Sequence, residues 1–230
     1  GTLENGLTSY TVANSRGVFA RHLESRIIYS VTVRDGDGSG WAESPGACAA
    51  EIDFNAINNT ARLKASMSKK PRDITPGIYP VILEPAAAAD LLSYLCVYGF
   101  GGQFYNEGSS FVSGNLGKKL LSPELSIEDN ALDGPVAGMP FDFEGQPRSR
   151  VFLVENGILK AVVHDRITAA AAKTVSTGQD FPQPDSFTPF PLNLSVRPGG
   201  SSIEEMIKNS EKAVLITQLH YTNLLRPLAM

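Results

Sequence analysis

Residues 91–103 read LLSYLCVYGFGGQ, and the division of the chain into elements turns on this stretch. Leu91, Leu95 and Tyr98 recur at helical spacing with Leu92 beside them. Upstream, Glu84-Pro85 places proline in a first helical turn, where its fixed φ is pre-organised. The apolar run closes on three glycines among four residues, Gly99, Gly101 and Gly102, which read as a helix C-cap. A phosphate loop would instead precede a helix and present its amides there, so nucleotide binding is not supported. The stretch holds no carboxylate, imidazole or amine. It is either a core helix or a site with its chemistry removed.

Working outward, residues 78–83, IYPVIL, read as a buried strand leading into this helix. Before it, Lys69 to Gly77 is rich in charge, Pro and Gly and marks the domain boundary, giving parts at 1–72 and 73–230. In the first part, Ile27, Tyr29, Val31 and Val33 alternate with more polar neighbours, the period of a strand with one wet face. Asp35, Asp37 and Ser39 have the spacing of a calcium loop, but its twelfth position is Gly46, so a glycine-rich hairpin end is expected. After a turn at Ser44-Pro45-Gly46, a helical face runs through Ile52, Ala56, Thr60, Leu63 and Met67. In the second part, Asn156-Gly157 joins two apolar runs as a tight hairpin. A short helix is expected over Ile167 to Lys173, followed by a long loop over 177–191. Ser201 to Glu204 reads as a capping box opening a helix to about Lys212, and AVLITQL supplies a last strand. The apolar stop LLRPLAM is expected to continue in a longer protein. The sum is α+β architecture with mainly antiparallel sheets, a few helices and two parts.

Composition limits the partners. Lys and Arg number 20 against 24 Asp and Glu, for a formal net charge of −4 with no basic run. A nucleic-acid partner would need a basic face to displace counterions, so none is expected. No segment approaches the roughly 20 apolar residues of a membrane span, and the start lacks a signal-peptide pattern, so a cytoplasmic location is expected. Cys48 and Cys96 read as small buried apolar residues.

Few constellations carry chemistry. His22, His164 and His220 are scattered, and His164-Asp165, as adjacent strand residues, would point to opposite faces. No nucleophile elbow is present. Asp142 and Glu144 would share a face if extended, and paired carboxylates can divide acid and base work when their environments differ. A solvated strand edge is the simpler reading of that pair.

Several stretches taken together, PVILEPAAAADLL, EGSSFVSGNLGKKLLSPELSIEDN, GMPFDFEGQPRSRVFLVENGILKAVVHDRITAAAAK and PGGSSIEEMI, resemble the TldD/PmbA family, often labelled modulators of DNA gyrase. FDFEGQP followed by VENGILK is the most specific part. The resemblance implies that residues 1 to about 72 correspond to the second half of an N-terminal α/β domain. The remainder would be the first part of a mostly β C-terminal domain, with a further stretch beyond it.

The TldD branch of the family is a zinc peptidase whose first ligands come from a His-Glu-x-x-x-His helix. Set on that pattern, the histidines fall on Ser93 and Tyr98 and the glutamate on Tyr94. A further cysteine ligand of the family lies beyond this chain. The resemblance therefore implies the motif-less PmbA/TldE branch, with no metal or other cofactor and no catalytic residue of its own. Its partners would be a TldD-like catalytic subunit or a second copy, and a peptide substrate; a stand-alone, self-associating scaffold is the alternative. Gly101, Gly102, Gln103, Asp142 and Glu144 are the candidate peptide-groove positions.

Overall fold

The computed structural model describes residues 1–133, 138–182 and 189–223. The middle of the expected long loop, Gly134 and the terminal LLRPLAM lie outside the described residues. The architecture is α+β, and the chain divides into two compact units, one of residues 1–11 and 21–77 and the other of residues 12–20 and 78–223 among those described.

Strands β1 (Thr2–Ala13), β2 (Phe19–Asp35) and β3 (Gly38–Gly46) form a meander that belongs to the first unit except for residues 12–20, and helix α1 (Phe54–Met67) packs on β3. The β2–β3 turn is two residues long, Asp35 pairing with Gly38 and Gly36 taking a φ of 63°. Ser44-Pro45-Gly46 lies inside β3 and is no turn. The helix is also phased differently from the expectation. Ile57, Ala61 and Ala65 are buried, whereas Leu63 and Met67 are exposed. The reason is close approach: a Cβ at Gly40 would collide with the Ala61 carbonyl and the Ala65 amide, and one at Gly38 with the Ala65 carbonyl. Small residues meet where the helix backbone lies on the sheet, so the large apolar side chains of α1 are displaced from the contact.

The second unit holds two sheets. β4 (Val81–Leu83) pairs with β9 (Val214–Ile216), and the pairing is parallel. β5 (Ile127–Asp129), β6 (Val151–Glu155), β7 (Ile158–Leu159) and β8 (Leu194–Val196) form an antiparallel sheet in the order β7-β6-β5-β8. The β6–β7 hairpin turns at Asn156 and Gly157, both at positive φ (50° and 79°), as a primed turn requires. Helix α2 (Pro85–Gly99), α3 (Gly102–Glu107) and α4 (Arg166–Ala172) complete the core with Cys96, Phe100, Val112, Ile127, Leu153 and Val163. Helix α5 (Ile203–Lys208) is shorter than expected, and its capping box is Ser202 with Glu205, one residue later than the expected frame.

Candidate functional site

Helix α2 starts at Pro85 and runs to Gly99, so residues 93, 94 and 98 lie on its last turns. Ser93 turns its hydroxyl back to the Ala89 carbonyl at 2.7 Å. Tyr94 donates its hydroxyl to the Thr222 carbonyl, and the Thr222 hydroxyl donates in turn to Asp90 Oδ2 at 3.2 Å. Tyr98 packs its ring on Phe104 with centroids 5.4 Å apart. Zinc requires thiolate, imidazole or carboxylate donors, and activation of its water requires a nearby base. Neither a serine hydroxyl bonded to its own helix nor two tyrosines, one bonded to the Thr222 carbonyl and one packed on Phe104, fits that donor set. Among the described residues, no group of three or more His, Cys, Asp and Glu side chains is placed to hold a metal ion.

The glycines after the helix act differently from the expected C-cap. None of Gly99, Gly101 and Gly102 has positive φ. Phe100 caps α2, Gly101 caps α3, and Gly102 is the first residue of α3. A Cβ on Gly99 would enter the Phe111 ring, and one on Gly102 would meet His164 Nδ1 and the Val163 carbonyl. These glycines are present because neighbours touch their backbone. The left-handed cap of this region is Gly108, which closes α3 at a φ of 76°.

Gly102 therefore backs onto His164. The imidazole is buried, its Nδ1 lies 3.2 Å from Thr168 Oγ1, and that hydroxyl donates to Asp165 Oδ1 at 2.7 Å. Asp165 is the N-cap of α4, accepting the Thr168 amide at 2.7 Å. His164 and Asp165 are thus linked through threonine, without direct contact, in a loop and cap rather than in a strand. Burial pulls the imidazole pKa down, and Asp165 only partly opposes this.

The carboxylate pair is also corrected. Asp142 is buried, not on a solvated edge, and its carboxylate accepts the amides of Glu144 (3.0 Å), Gln146 (2.8 Å) and Asp180 (3.1 Å). It is the organiser of a tight turn around Gly145, whose φ is 76°. Glu144 is partly accessible, with Oε1 3.6 Å from Arg166 Nε and Oε2 buried without a hydrogen bond among the described residues. Its pKa is raised, first by burial and then by Asp142 and Asp165, with Arg166 opposing. Of the candidate groove positions, Gly101, Gly102 and Asp142 are buried. Gln103, bonded to Glu107 at 2.9 Å, and Glu144 keep some accessible surface.

Cys96 is fully buried, and burial followed by the Asp129 charge pushes its thiol to about 12, far from a reactive thiolate. Cys48 departs from the expectation: it is exposed.

One polar cluster escaped the sequence reading. Arg148, buried, donates to Asp129 Oδ2 (3.0 Å), Gln179 Oε1 (2.8 Å) and Asn193 Oδ1 (2.8 Å). Asp129 also accepts Gln179 Nε2 (2.6 Å) and the amides of Leu192 (2.9 Å) and Asn193 (2.6 Å). Arg148 Nε is buried without a hydrogen bond among the described residues. The members come from four separate segments, so no local spacing announces them. The available signal was that Asp129 and Arg148 lie inside stretches that carry the family resemblance.

Comparison with known proteins bears on the family and the fold. Residues 76–228 match the model of the PmbA/TldA metallopeptidase C-terminal domain. The chain is 28% identical over 167 residues to the metalloprotease TldD homolog of Buchnera aphidicola subsp. Acyrthosiphon pisum, covering 71% of this chain and 35% of that protein. It is 29% identical over 151 residues to the metalloprotease PmbA of Escherichia coli O157:H7, covering 65% of this chain and 31% of that one. Among solved structures, a proposed modulator of DNA gyrase from Thermotoga maritima superposes with a TM-score of 0.84 at 25% identity, over 95% of this chain and 51% of that one. TldE from Thermococcus kodakarensis shares the fold, with a TM-score of 0.80 at 22% identity over 94% and 50% of the two chains. The chain thus spans about a third of the length of these curated relatives and about half of the solved chains. With the family model matched over well more than half of its residues, the chain belongs to the metallopeptidase-related PmbA/TldD family.

Proposed function

We propose that this chain is a non-catalytic, PmbA/TldE-like subunit of a TldD/TldE-type metallopeptidase system that acts on unfolded or small precursor peptides in the cytoplasm. The observation that carries the reading is the state of helix α2. At the positions where the resemblance expects His, Glu and His it has Ser93, Tyr94 and Tyr98, each engaged with its own helix, Thr222 or Phe104. On this reading the helix contributes packing, the domain helps to form a peptide chamber, and the metal chemistry belongs to a partner that retains the motif. Residues 1 to about 72 are then the second half of an N-terminal domain.

The test is elemental analysis joined to hydrolysis of an unstructured peptide, on the purified chain alone and mixed with a motif-bearing relative. The expected result is neither stoichiometric zinc nor cleavage from the chain alone, with both in the mixture. Stoichiometric zinc in the isolated chain would refute the reading. A second reading, a self-associating scaffold, draws support from the exposed Leu3, Leu7 and Leu23 on β1 and β2, which are 56%, 69% and 55% accessible. Sedimentation of the isolated chain separates the two: a stable homo-oligomer that excludes the relative favours the scaffold.

A further inference from the structure

The outer face of the β7-β6-β5-β8 sheet has a polar groove that neither the subunit reading nor the zinc positions use. Strand alternation creates it. Ile127, Asp129, Val151 and Leu153 point into the unit and are buried, so Glu128 and Phe152 must point out. Glu128 pairs across the sheet with Phe152 on one side and Ser195 on the other, which sets three outward side chains in a row over three strands. Arg150 and Arg197 flank the row. Together with neighbouring backbone they line a groove of about 190 Å³. That is below the roughly 300–1,000 Å³ of pockets for drug-sized ligands and suits a single small group.

The two arginines stand in different states. Arg150 is fixed: its Nε and Nη2 both donate to Glu128 Oε2, at 3.1 and 2.8 Å, and its guanidinium lies 4.8 Å from the centre of the Phe152 ring. Arg197 has its backbone tied down, its amide donating to the Ser126 carbonyl at 3.0 Å. Its guanidinium has no hydrogen bond or ion pair among the described residues, and the Ser195 hydroxyl beside it has none either. Among the side chains that line the groove, one carboxylate stands against two guanidiniums, with Asp133 outside the lining also acting on Arg150, so Arg197 is the guanidinium left without a resident carboxylate. A planar guanidinium fork favours carboxylate, hydroxyl donors add to it, and an aromatic face accepts the apolar body that carries the acid.

From this arrangement we infer that the β5-β6-β8 face is a carboxylate-binding groove, in which Arg197 and Ser195 take the acid and Phe152, held under Arg150, takes the adjoining apolar group. The ligand carboxylate can belong to an acidic side chain of a bound peptide or to a free small acid. The inference is independent of the subunit reading, since it concerns a face remote in sequence from residues 93–98 and needs no partner.

Amide NMR titration of the whole chain tests it with two probes, benzoate and a tripeptide acetylated and amidated at its ends with a central glutamate. The neutral controls are benzamide and the tripeptide with glutamine in place of glutamate. Saturable shifts confined to residues 126–128, 150–152 and 195–197 are expected for at least one acid and for neither control. Response to both acids identifies a general carboxylate site. Response to the tripeptide alone identifies an acidic peptide as the source, and response to benzoate alone a free acid. Arg197→Gln, at an exposed position, should weaken binding about tenfold or more, as loss of a charge-assisted hydrogen bond does. Glu128→Gln should tighten it, because the resident carboxylate no longer competes for Arg150. Equal response to the neutral analogues, no saturable response to either acid, or unchanged affinity in Arg197→Gln would overturn the inference.

Discussion

At the scale of single residues, Asp129 is the most consequential side chain of the second unit. It is fully buried, and its two oxygens serve Arg148, Gln179 and the amides of Leu192 and Asn193. Removing one partner of a buried pair leaves the other charge without compensation, which costs about 3–5 kcal/mol. Asp129→Ala should therefore lower the unfolding free energy by that order, read from the urea midpoint at constant m-value. Adding Arg148→Met to Asp129→Ala should restore a large part of the loss, because the guanidinium no longer lies buried and unpaired. A double variant as unstable as the single one would mean that the amides, not the charge, dominate. His164 gives a pH dependence of known sign. Its folded pKa lies below the ordinary 6.5, so folding favours the neutral ring. Above that ordinary value both states are neutral and the group contributes no slope. As the pH falls through it, the unfolded chain binds the proton first and stability is lost, by at most about 1.4 kcal/mol per pH unit. His164→Asn should flatten the stability profile below pH 6.5 in comparison with the parent, as measured by chemical denaturation at several pH values.

At the scale of elements, the contact between α1 and β3 depends on an absence of side chains. Gly40→Ala should cost at least the 1–3 kcal/mol typical of overpacking, because the new methyl meets helix backbone that cannot rotate away. Gly6→Ala, in the same sheet with nothing within 4 Å of the new atom, should be neutral or slightly stabilising. Thermal melts of the two variants check the contrast, and equal Tm values would sink it. The same contact shows why α1 was only partly legible. Its existence was readable from apolar spacing, yet its phase was not, since the spacing favours Leu63 and Met67 over the small Ala61 and Ala65 that the two glycines of β3 select. Some signals contained within a few residues read correctly, Asn156-Gly157 turning the hairpin and Pro85 opening α2, whereas the turn at Ser44-Pro45-Gly46 and the glycine cap after α2 gave way to strand pairing and close packing. The capping box slipped by one residue because Ser201 and Ser202 both precede an acid at the right distance, and only the backbone selects between them. The parallel pairing of β4 with β9 joins segments more than a hundred residues apart, which no local pattern encodes.

At the scale of the whole molecule, the candidate site separates in the same way. The three positions that the family resemblance sets on the zinc pattern could be picked out because they are local, three residues on one helix. The Arg148 and Asp129 network and the carboxylate groove could not, because each is assembled from segments far apart in the sequence. This distinction leads to a prediction about restoring the motif. Ser93→His, Tyr94→Glu and Tyr98→His together would place two imidazoles and a carboxylate on the last turns of α2. A catalytic zinc site takes three protein ligands in fixed geometry with an outer shell to orient them, and with the glutamate needed as the base that activates the metal-bound water the helix supplies only two. Among the described residues, no further His, Cys, Asp and Glu group stands ready as a metal site. The triple variant should therefore not bind zinc stoichiometrically at micromolar concentration by calorimetry. It should also unfold at lower temperature than the parent, because it loses the bond from Tyr94 to Thr222 and the packing of Tyr98 on Phe104. Tyr94→Phe alone should speed hydrogen exchange at residues 220–223 while leaving the β5-β6 amides protected, since it releases only that segment. Tight zinc binding by the triple variant would mean that a further ligand reaches α2 in solution, and the non-catalytic reading would then describe three substitutions and not the architecture around them.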